Sequence, residues 1–375
     1  MRLAGLTWWR NNYGSILQAY ALQNELNSYP EIDYQIINQF GKKITSVDNL
    51  CNKLKTVGIN KTCQRIFWKF VVPKLRKRNS KFQRFVDERL FLSERQYNED
   101  TISEANSIYD GFVCGSDQIW NPTLTKLSSM YWLNFADGDK KKIAYAPSIG
   151  VDSLSINDGI IIRKNLEDFT AISCRENTGT KLINSVLGEN RCQTVLDPTM
   201  VVNIQVWDSI CAENRIKEPY VFVYLLRGSK QQRRLIEQFA QEKNLKVVTM
   251  PFLETEHIVL YDFKFGDIKF WDASPEEFIG VIKNAEYVFT DSFHSMVFSC
   301  LYHVPFMIFP KQGKAQMSRI QGLMCLLEIE PRIVGTYTDM NNLYLKRIDW
   351  NKSDKIISRE KAKSKEYLKR AIKVL

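Results

Sequence analysis

The chain has 375 residues, of which 44% are hydrophobic and 25% charged, a composition typical of a globular protein with room for two domains. Its most apolar run, residues 304–309, is short and contains Pro305, whereas a membrane-spanning helix needs about 18 apolar residues. No signal-peptide cleavage site follows the apolar start of the chain, and the eight cysteines form no CxxC pair. Composition therefore argues against a membrane-spanning chain and a disulfide framework, and we expect a cytoplasmic protein.

The net charge of +10 comes from one segment. Residues 50–86 contain eleven basic and no acidic side chains, which leaves 41 basic and 42 acidic residues elsewhere. A segment of this kind favours an anionic partner such as a membrane surface, an acidic substrate or a nucleic acid. No recognisable nucleic-acid-binding module surrounds it, so we expect no nucleic acid partner.

The predicted elements alternate between strands and helices along the whole chain. In the first half, an apolar strand at the start precedes a helix that ends near Leu26, and the basic segment predicts two or three helices. Further strands of this half are predicted at 34–40, 111–114, 142–147, 171–173 and 192–196. In the second half, predicted strands at 220–226, 245–250, 287–290 and 306–309 alternate with helices at 231–243, 275–283, 293–301 and 317–327.

This alternation predicts parallel sheets in two doubly wound, Rossmann-like α/β domains. We place the first domain at residues 1–200, with a basic helical insertion at 50–86, and the second domain at residues 201–345. Residues 346–375 follow as a separate segment, in which a charged helix is predicted from residue 356.

Three polar segments each follow a predicted strand directly. They are residues 115–118, 173–177 and 290–294. In open parallel sheets ligands bind beyond the carboxyl ends of the strands, and the N–H groups at a helix N-terminus favour anions. The three segments therefore indicate a site for an anionic substrate.

Each signal has a structural alternative that the sequence leaves open. His294 begins a helix capped by Asp291 or Ser292, and it is either functional or a core histidine. Arg175 is either a ligand-binding residue or a surface ion-pair partner of Glu176. Residues 115–117 are either part of a site or an Asx-type turn. The sequence has no GxGxxG, P-loop, HExxH or GxSxG motif, which removes the common nucleotide, metal and hydrolase interpretations.

Taken together and in order, these segments resemble the polysaccharide pyruvyl transferase family. The matching pieces are residues 12–15, 17–22, 115–122, 173–177, 197–198, 290–294 and 317–320. The resemblance implies a GT-B-like fold in which two Rossmann-like domains face a cleft and the C-terminal helix returns to the first domain. It also implies an enzyme of surface or capsular polysaccharide biosynthesis that moves pyruvate from phosphoenolpyruvate onto two hydroxyls of a saccharide. This chemistry needs no metal, and we expect no cofactor besides the phosphoenolpyruvate donor.

The resemblance assigns roles to individual residues. It implies that His294 is the general acid and that Arg175 holds phosphoenolpyruvate. Many family members have an arginine two positions before the histidine, where this sequence has Ser292, and Arg227 and Arg319 are the candidates to replace that cation. The residues expected on the acceptor side or along the cleft are Asn12, Tyr13, Gly14, Ser116, Asp117, Gln118 and Asn177.

Two other functions remain open at this point. One is a GT-B glycosyltransferase that uses a nucleotide sugar, with acidic residues between 272 and 277 on the ribose; the other is a non-catalytic family member, suggested by Ser292. Family acceptors are often lipid-linked. We therefore expect the basic segment, with Phe67 and Trp68, to dock on the anionic inner face of the membrane.

Overall fold

The computed structural model describes residues 1–10, 12–39, 61–252, 260–311 and 317–373, without the side chains of residues 61–68 and 260. It contains two five-stranded sheets in which every neighbouring pair of strands is parallel. We call the part of the chain around the first sheet the first half and the part around the second sheet the second half.

The first sheet has the strand order β3-β2-β1-β4-β5. Its strands are β1 (Arg2–Leu6), β2 (Asp33–Asn38), β3 (Leu92–Gln96), β4 (Gly111–Cys114) and β5 (Lys141–Ala144). A bridge between Ile143 and Ala171 leads on to the parallel pair β6 (Ile172–Cys174) and β7 (Cys192–Thr194). The helices are α1 (Tyr13–Leu26), α2 (Lys61–Arg89), α3 (Pro122–Thr125), α4 (Ile156–Leu166), α5 (Asn177–Leu187), α6 (Pro198–Val201) and α7 (Ile204–Asp208).

The second sheet repeats this order as β10-β9-β8-β11-β12. Its strands are β8 (Tyr220–Tyr224), β9 (Lys246–Thr249), β10 (Ile268–Lys269), β11 (Tyr287–Thr290) and β12 (Phe306–Ile308). The helices are α8 (Lys230–Glu242), α9 (Pro275–Lys283), α10 (Phe293–Leu301), α11 (Ser318–Leu326), α12 (Tyr337–Leu345) and α13 (Trp350–Lys373). The prediction of two doubly wound parallel sheets is confirmed. In each sheet the strand order reverses beside the first strand, which places a crevice at the carboxyl ends of β1 and β4 and of β8 and β11.

The terminal helix α13 packs on the first half. The Ser364 hydroxyl accepts a hydrogen bond from the Leu196 N–H at 2.9 Å, and the Tyr367 hydroxyl donates to the Ala144 carbonyl at 2.8 Å. Lys365 forms an ion pair with Glu25 at 2.6 Å. The helix begins at Trp350, earlier than its apolar spacing predicts. The domain boundaries at residues 200 and 345 stay a prediction.

The basic segment differs from its prediction. Residues 61–89 form one helix, α2, rather than two or three, and residues 50–60 lie outside the described part of the chain. Pro73 stands inside the helix, where its ring faces solvent. Phe82, Phe85 and Val86 hold the helix to a buried apolar cluster that contains residues of both halves. No helix in the described part of the chain is both long enough and apolar enough to cross a membrane.

One face of α2 contacts the second half. Lys77 pairs with Asp272 at 2.7 Å, Lys81 pairs with Glu277 at 2.7 Å, and the ammonium group of Lys74 lies 5.4 Å from the centre of the Trp271 ring. We call the contact of α1, α2 and α6 with residues 271–278 and α10 the interdomain seam. Part of the positive charge of α2 therefore meets acidic side chains of the same chain.

The seam predicts a salt-sensitive loss of stability for Lys81→Glu. The substitution removes the ion pair with Glu277 and places a negative charge beside Asp272, so we expect the free energy of unfolding to fall by about 1 kcal/mol. Urea unfolding at low and high salt measures the effect, which should shrink as salt screens the charges. Arg76→Glu, at an exposed position of the same helix, is the matched control and should change stability little. Equal losses in both variants would contradict this role of Lys81.

Candidate active site

The two halves pack tightly against each other at Gly14 and His294. Gly14 lies in the first turn of α1, and the side chain of Asn12 caps that helix by accepting a hydrogen bond from the Gly14 N–H at 2.8 Å. A Cβ atom at Gly14 would lie 2.0 Å from Nδ1 of His294. No side chain fits at this position, so glycine is required for α1 to pack against the histidine.

His294 lies in the first turn of α10, directly after β11. Ser292 is the N-cap of this helix and accepts from the Ser295 N–H at 3.5 Å, so its side chain serves the helix in this structure. The His294 side chain is buried, and its Nε2 lies 3.6 Å from Oδ2 of Asp197 without a hydrogen-bond partner among the described residues. A buried ring nitrogen without a partner is unusual for a core histidine.

Arg175 lies next to the same oxygen of Asp197 as the histidine. Its Nη1 donates to Oδ2 of Asp197 at 2.7 Å, and its guanidinium carbon lies 4.5 Å from the centre of the Phe293 ring. The side chain is only 2% exposed, and Glu176 is a more distant partner at 4.0 Å. The interpretation of Arg175 as a surface ion-pair residue is therefore wrong. Its Nε and Nη2 find no hydrogen-bond partner within the described ranges.

Electrostatics tie these groups together. Burial alone would raise the pKa of Asp197 and is the largest single effect, but His294, Arg175 and the Thr199 hydroxyl together hold that pKa below its usual range. Burial opposes the charge of Arg175, yet Asp197, Asp117 and Glu176 raise its pKa. The ionised carboxylate and the guanidinium thus stabilise each other in a site with little water.

Three more cations lie on the side of the second half. Burial, followed by repulsion from Arg175, lowers the pKa of Arg319 to about 10. Burial, followed by repulsion from Arg319, lowers the pKa of Lys311 to about 8, and Arg227 adds to this repulsion. The turn that carries Arg227 is held by Asp291, whose carboxylate accepts from the N–H groups of Leu226 and Arg227 at 2.6 and 2.8 Å. Arg175 thus acts on Arg319, and Arg319 and Arg227 act on Lys311, so positive charge is concentrated in this part of the molecule.

A small cavity of about 60 Å³ lies between the Arg175 side chain and α11. Asp197, Phe293 and Arg319 line it, and so does Asn177, an exposed residue in the first turn of α5. The cavity joins residues of both halves next to the unpartnered atoms of Arg175. Among the residues that the structure describes, no group of three or more His, Cys, Asp or Glu side chains is arranged to hold a metal ion.

The remaining predicted residues lie along the seam and after β4. Tyr13 belongs to the seam, because its hydroxyl donates to the Ala273 carbonyl at 3.0 Å and its ring stacks on Phe278. The Ser116 hydroxyl lies 3.2 Å from Oδ2 of Asp197. Asp117 has left-handed backbone geometry, with φ of 66°, and its carboxylate accepts from the Ser15 hydroxyl at 2.5 Å.

Gln118 lies one residue further along, partly exposed, and its Oε1 accepts from the Asn121 side chain at 3.1 Å. The N–H of Gln118 also donates to Oδ1 of Asp117 at 2.9 Å. This bond comes from the next residue, whereas an Asx-type turn is closed by the N–H two residues on, so the contact is not that of an Asx-type turn.

Two residues of the site were not among the predicted site residues. Asp197 stands directly before Pro198, a position typical of a helix N-cap, and it does accept a hydrogen bond from the Thr199 N–H at 3.0 Å. The contact of its second oxygen with Arg175 has no signal in the sequence. Lys311 follows β12 near another lysine and no spacing rule singles it out. Its one signal is its place beyond the carboxyl end of a strand.

Comparison with known proteins decides the family. The model of the family described as polysaccharide pyruvyl transferase matches residues 12–310, which is most of the chain. The chain belongs to this family. Both the Arg175 and the His294 segments lie within the matched range. A search of curated proteins found no match.

Solved structures similar to this family member share its fold. UDP-GlcNAc 2-epimerase from Methanocaldococcus jannaschii has 13% identity and a TM-score of 0.54, with 93% of each chain covered. A putative UDP-N-acetylglucosamine 2-epimerase from Listeria monocytogenes has 7% identity and a TM-score of 0.57, covering 95% of this chain and 90% of its own. The Neisseria meningitidis enzyme bound to UDP-GlcNAc has 8% identity and a TM-score of 0.55, with 100% of each chain covered. The GT-B-like fold prediction is confirmed.

The Gly14 contact predicts that Gly14→Ala destabilises the protein. Alanine is the better helix former by about 1 kcal/mol, but its Cβ would overlap the His294 ring, so we expect a lower melting temperature. Gly159→Ala in α4 is the matched control, because its Cβ would meet only Val186 at an ordinary 3.6 Å. Thermal unfolding should show a gain or no change for the control. A gain in stability for Gly14→Ala would contradict the packing described here.

Proposed function

We propose that this family member transfers the pyruvyl group of phosphoenolpyruvate to two hydroxyls of a saccharide, forming a ketal in surface or capsular polysaccharide biosynthesis. The supporting observation is a buried guanidinium, that of Arg175, of which Nε and Nη2 make no hydrogen bond within the described ranges, next to a histidine whose Nε2 makes none either. A guanidinium matches carboxylate and phosphate oxygens through parallel hydrogen bonds. Phosphoenolpyruvate carries both groups close together.

The cations on the second half support an anionic donor. Lys311 is repelled by Arg319 and Arg227, and Arg319 by Arg175, which costs free energy that a bound anion would recover. Lys311 follows β12 on the same edge of the sheet as Ser292, so it takes over the charge of the arginine that many family members carry at position 292. The substitution at Ser292 therefore does not argue for a non-catalytic protein.

The chemistry divides between His294 and the cations. His294 delivers a proton to the terminal carbon of the enol, which becomes a methyl group, while the first sugar hydroxyl adds to the neighbouring carbon. The second hydroxyl then adds to the same carbon as the C–O bond to phosphate breaks. The two hydroxyls release two protons; one balances the proton from His294 and the other leaves on the phosphate. Arg175, Arg319 and Lys311 stabilise the charge that gathers on the phosphate.

The acceptor would enter from the side of the first half. Ser116, Asp117, Gln118 and Asn177 offer hydroxyl, carboxylate and amide groups of the kind that bind sugar hydroxyls. Asp117 and Ser116 are buried next to Asp197, whereas Asn177 is exposed at the mouth of the small cavity. The order from exposed to buried fits an acceptor that reaches inward towards Arg175.

The glycosyltransferase alternative loses its main residues. Asp272 and Glu277, which would bind a ribose, are paired with Lys77 and Lys81 across the seam. Isothermal calorimetry with phosphoenolpyruvate and a panel of nucleotide sugars separates the two functions. We expect binding of phosphoenolpyruvate and acceptor-dependent release of phosphate. Binding of a nucleotide sugar without binding of phosphoenolpyruvate would overturn the proposal.

Contact with an anionic membrane, which would bring the site to a lipid-linked acceptor, remains part of this proposal. The residues proposed to make that contact differ from those expected from the sequence. Lys74 and Lys77 face the second half, so charge reversal there would disturb the seam, and the side chains of Phe67 and Trp68 lie outside those described. Lys69, Phe70 and Arg76 are exposed. Sedimentation with anionic and neutral vesicles tests these three residues; equal binding to both kinds of vesicle would contradict the membrane role.

His294→Gln should reduce turnover by about 10²- to 10⁴-fold, the usual contribution of a general acid. Glutamine keeps the polarity and much of the volume, so thermal stability and phosphoenolpyruvate affinity should change little. Phosphate release and calorimetry measure the two effects separately. His303→Gln is the control, because His303 pairs with Asp354 at the surface. Full turnover in His294→Gln would remove His294 from the mechanism.

The lowered pKa of Lys311 predicts that the affinity for phosphoenolpyruvate falls as the pH rises. With its pKa at about 8, the side chain carries its charge below that pH and loses it above, so phosphoenolpyruvate should bind more weakly at pH 9 than at pH 7. Lys311→Arg keeps the charge over this range and should remove most of the pH dependence, whereas Lys311→Met should bind weakly at both values. The same fall with pH in Lys311→Arg would show that another group is responsible.

A further inference from the structure

Asp197 is a buried carboxylate that accepts a hydrogen bond from Arg175 and also lies beside His294. Its Oδ1 accepts from the N–H of Thr199 at 3.0 Å and from its hydroxyl at 2.6 Å, which anchors the carboxylate at the start of α6. Its Oδ2 accepts from Arg175 Nη1 at 2.7 Å and from the Ser116 hydroxyl at 3.2 Å. The Nε2 of His294 lies 3.6 Å from the same Oδ2.

The position of Asp197 argues against direct contact with the donor. Its side chain has 0% exposure, and both of its oxygens already accept hydrogen bonds. A carboxylate would also repel the carboxylate and phosphate of phosphoenolpyruvate. Its contacts run instead to the two side chains that the proposed function uses, Arg175 from the first half and His294 from the second.

We infer that Asp197 is a positioning residue that holds the donor-binding arginine and the acid histidine in register across the interdomain seam. This inference rests on the proposed function. Oδ1 fixes the carboxylate to the first half, and Oδ2 accepts from Nη1 of Arg175. The Nε and Nη2 of that guanidinium make no hydrogen bond and lie 4.0 Å from Glu176 and 3.9 Å from Asp117. The gap to His294 is about half an ångström longer than an ordinary hydrogen bond, so a small closure of the seam completes the link.

A geometric coupling of this kind has a kinetic signature. Asp197→Asn keeps the shape and removes the charge, and it should raise the KM for phosphoenolpyruvate through Arg175 and lower kcat through His294. Misplacement of a reacting group by about 1 Å costs about 10²-fold in rate. Thr199→Val is the matched control: it removes one hydrogen bond to the same carboxylate but keeps the charge, and it should cause much smaller changes.

The decisive comparison is a double-mutant cycle. If Asp197 acts through His294, the loss of kcat caused by Asp197→Asn should largely disappear in a His294→Gln background. If it acts through Arg175, the rise in KM should largely disappear in an Arg175→Lys background. A merely structural aspartate would lower activity additively in both backgrounds, and that result would overturn the inference.

A second measurement needs no turnover. The chain has 3 histidines, so the ring signals of ¹⁵N-labelled His294 are assigned by comparison with His294→Gln. Asp197→Asn should shift these signals and leave those of His303 unchanged, whether or not the protein uses phosphoenolpyruvate. If Asp197→Asn does not fold, Asp197→Glu, which moves the carboxylate by one methylene, should shift the same signals. Unchanged His294 signals would overturn the positioning role, whereas shifted signals without turnover of phosphoenolpyruvate would leave it standing and overturn the proposed function.

Discussion

The contact between Gly14 and His294 sets the distance between the two halves at the site. There is no space for even a Cβ atom between α1 and the histidine ring, so the first turn of α1 can pack directly under α10. That packing brings the carboxyl ends of both sheets together. It places Asp197 and Arg175 of the first half within reach of His294 and Arg319 of the second. An anion bound here would touch both halves, so donor binding and closure of the seam would support each other.

The charges of the site are distributed unevenly between the halves. On the first half, Arg175 is surrounded by Asp117, Glu176 and Asp197, which keep it charged and fixed in place. On the second half, burial and repulsion from Arg319 lower the pKa of Lys311, and burial and repulsion from Arg175 lower the pKa of Arg319. The first half therefore supplies a guanidinium with a fixed orientation, and the second half supplies additional positive charge. A donor with a planar carboxylate and a separate phosphate suits this division.

Periodicity predicted the fold well where helices and strands are buried on one face. The bounds of α9, β11 and α10 agree with their predictions because each has a cap or strand end that the sequence marks, such as Ser274 and Ser292. Strand β3, with the sequence LSERQ, was missed because its mostly exposed residues lack apolar alternation. The two-residue strand β10 is too short to show any periodicity.

Individual residues of the candidate site were predicted only where a strand end and a polar motif coincide. Arg175, His294 and Asp117 have both signals, and the structure brings them together. Asp197 looks like an ordinary cap, because its contact with Arg175 depends on how β6 and β7 lie side by side. The contact of α2 with residues 271–278 joins segments about 200 residues apart, which no local pattern encodes. The attraction between α2 and the acidic first turn of α9 is therefore visible only in the folded structure.

The origin of the new methyl group tests the central claim most directly. The protein is incubated in D₂O with phosphoenolpyruvate and a pool of lipid-linked saccharides, and the products are analysed by mass spectrometry. An acid that exchanges with solvent, the role proposed for His294, would deliver deuterium to the enol carbon, so the account predicts a saccharide that carries a pyruvyl ketal with a singly deuterated methyl group. Saccharide that gains a sugar unit from an added nucleotide sugar, or a ketal without deuterium, would contradict it.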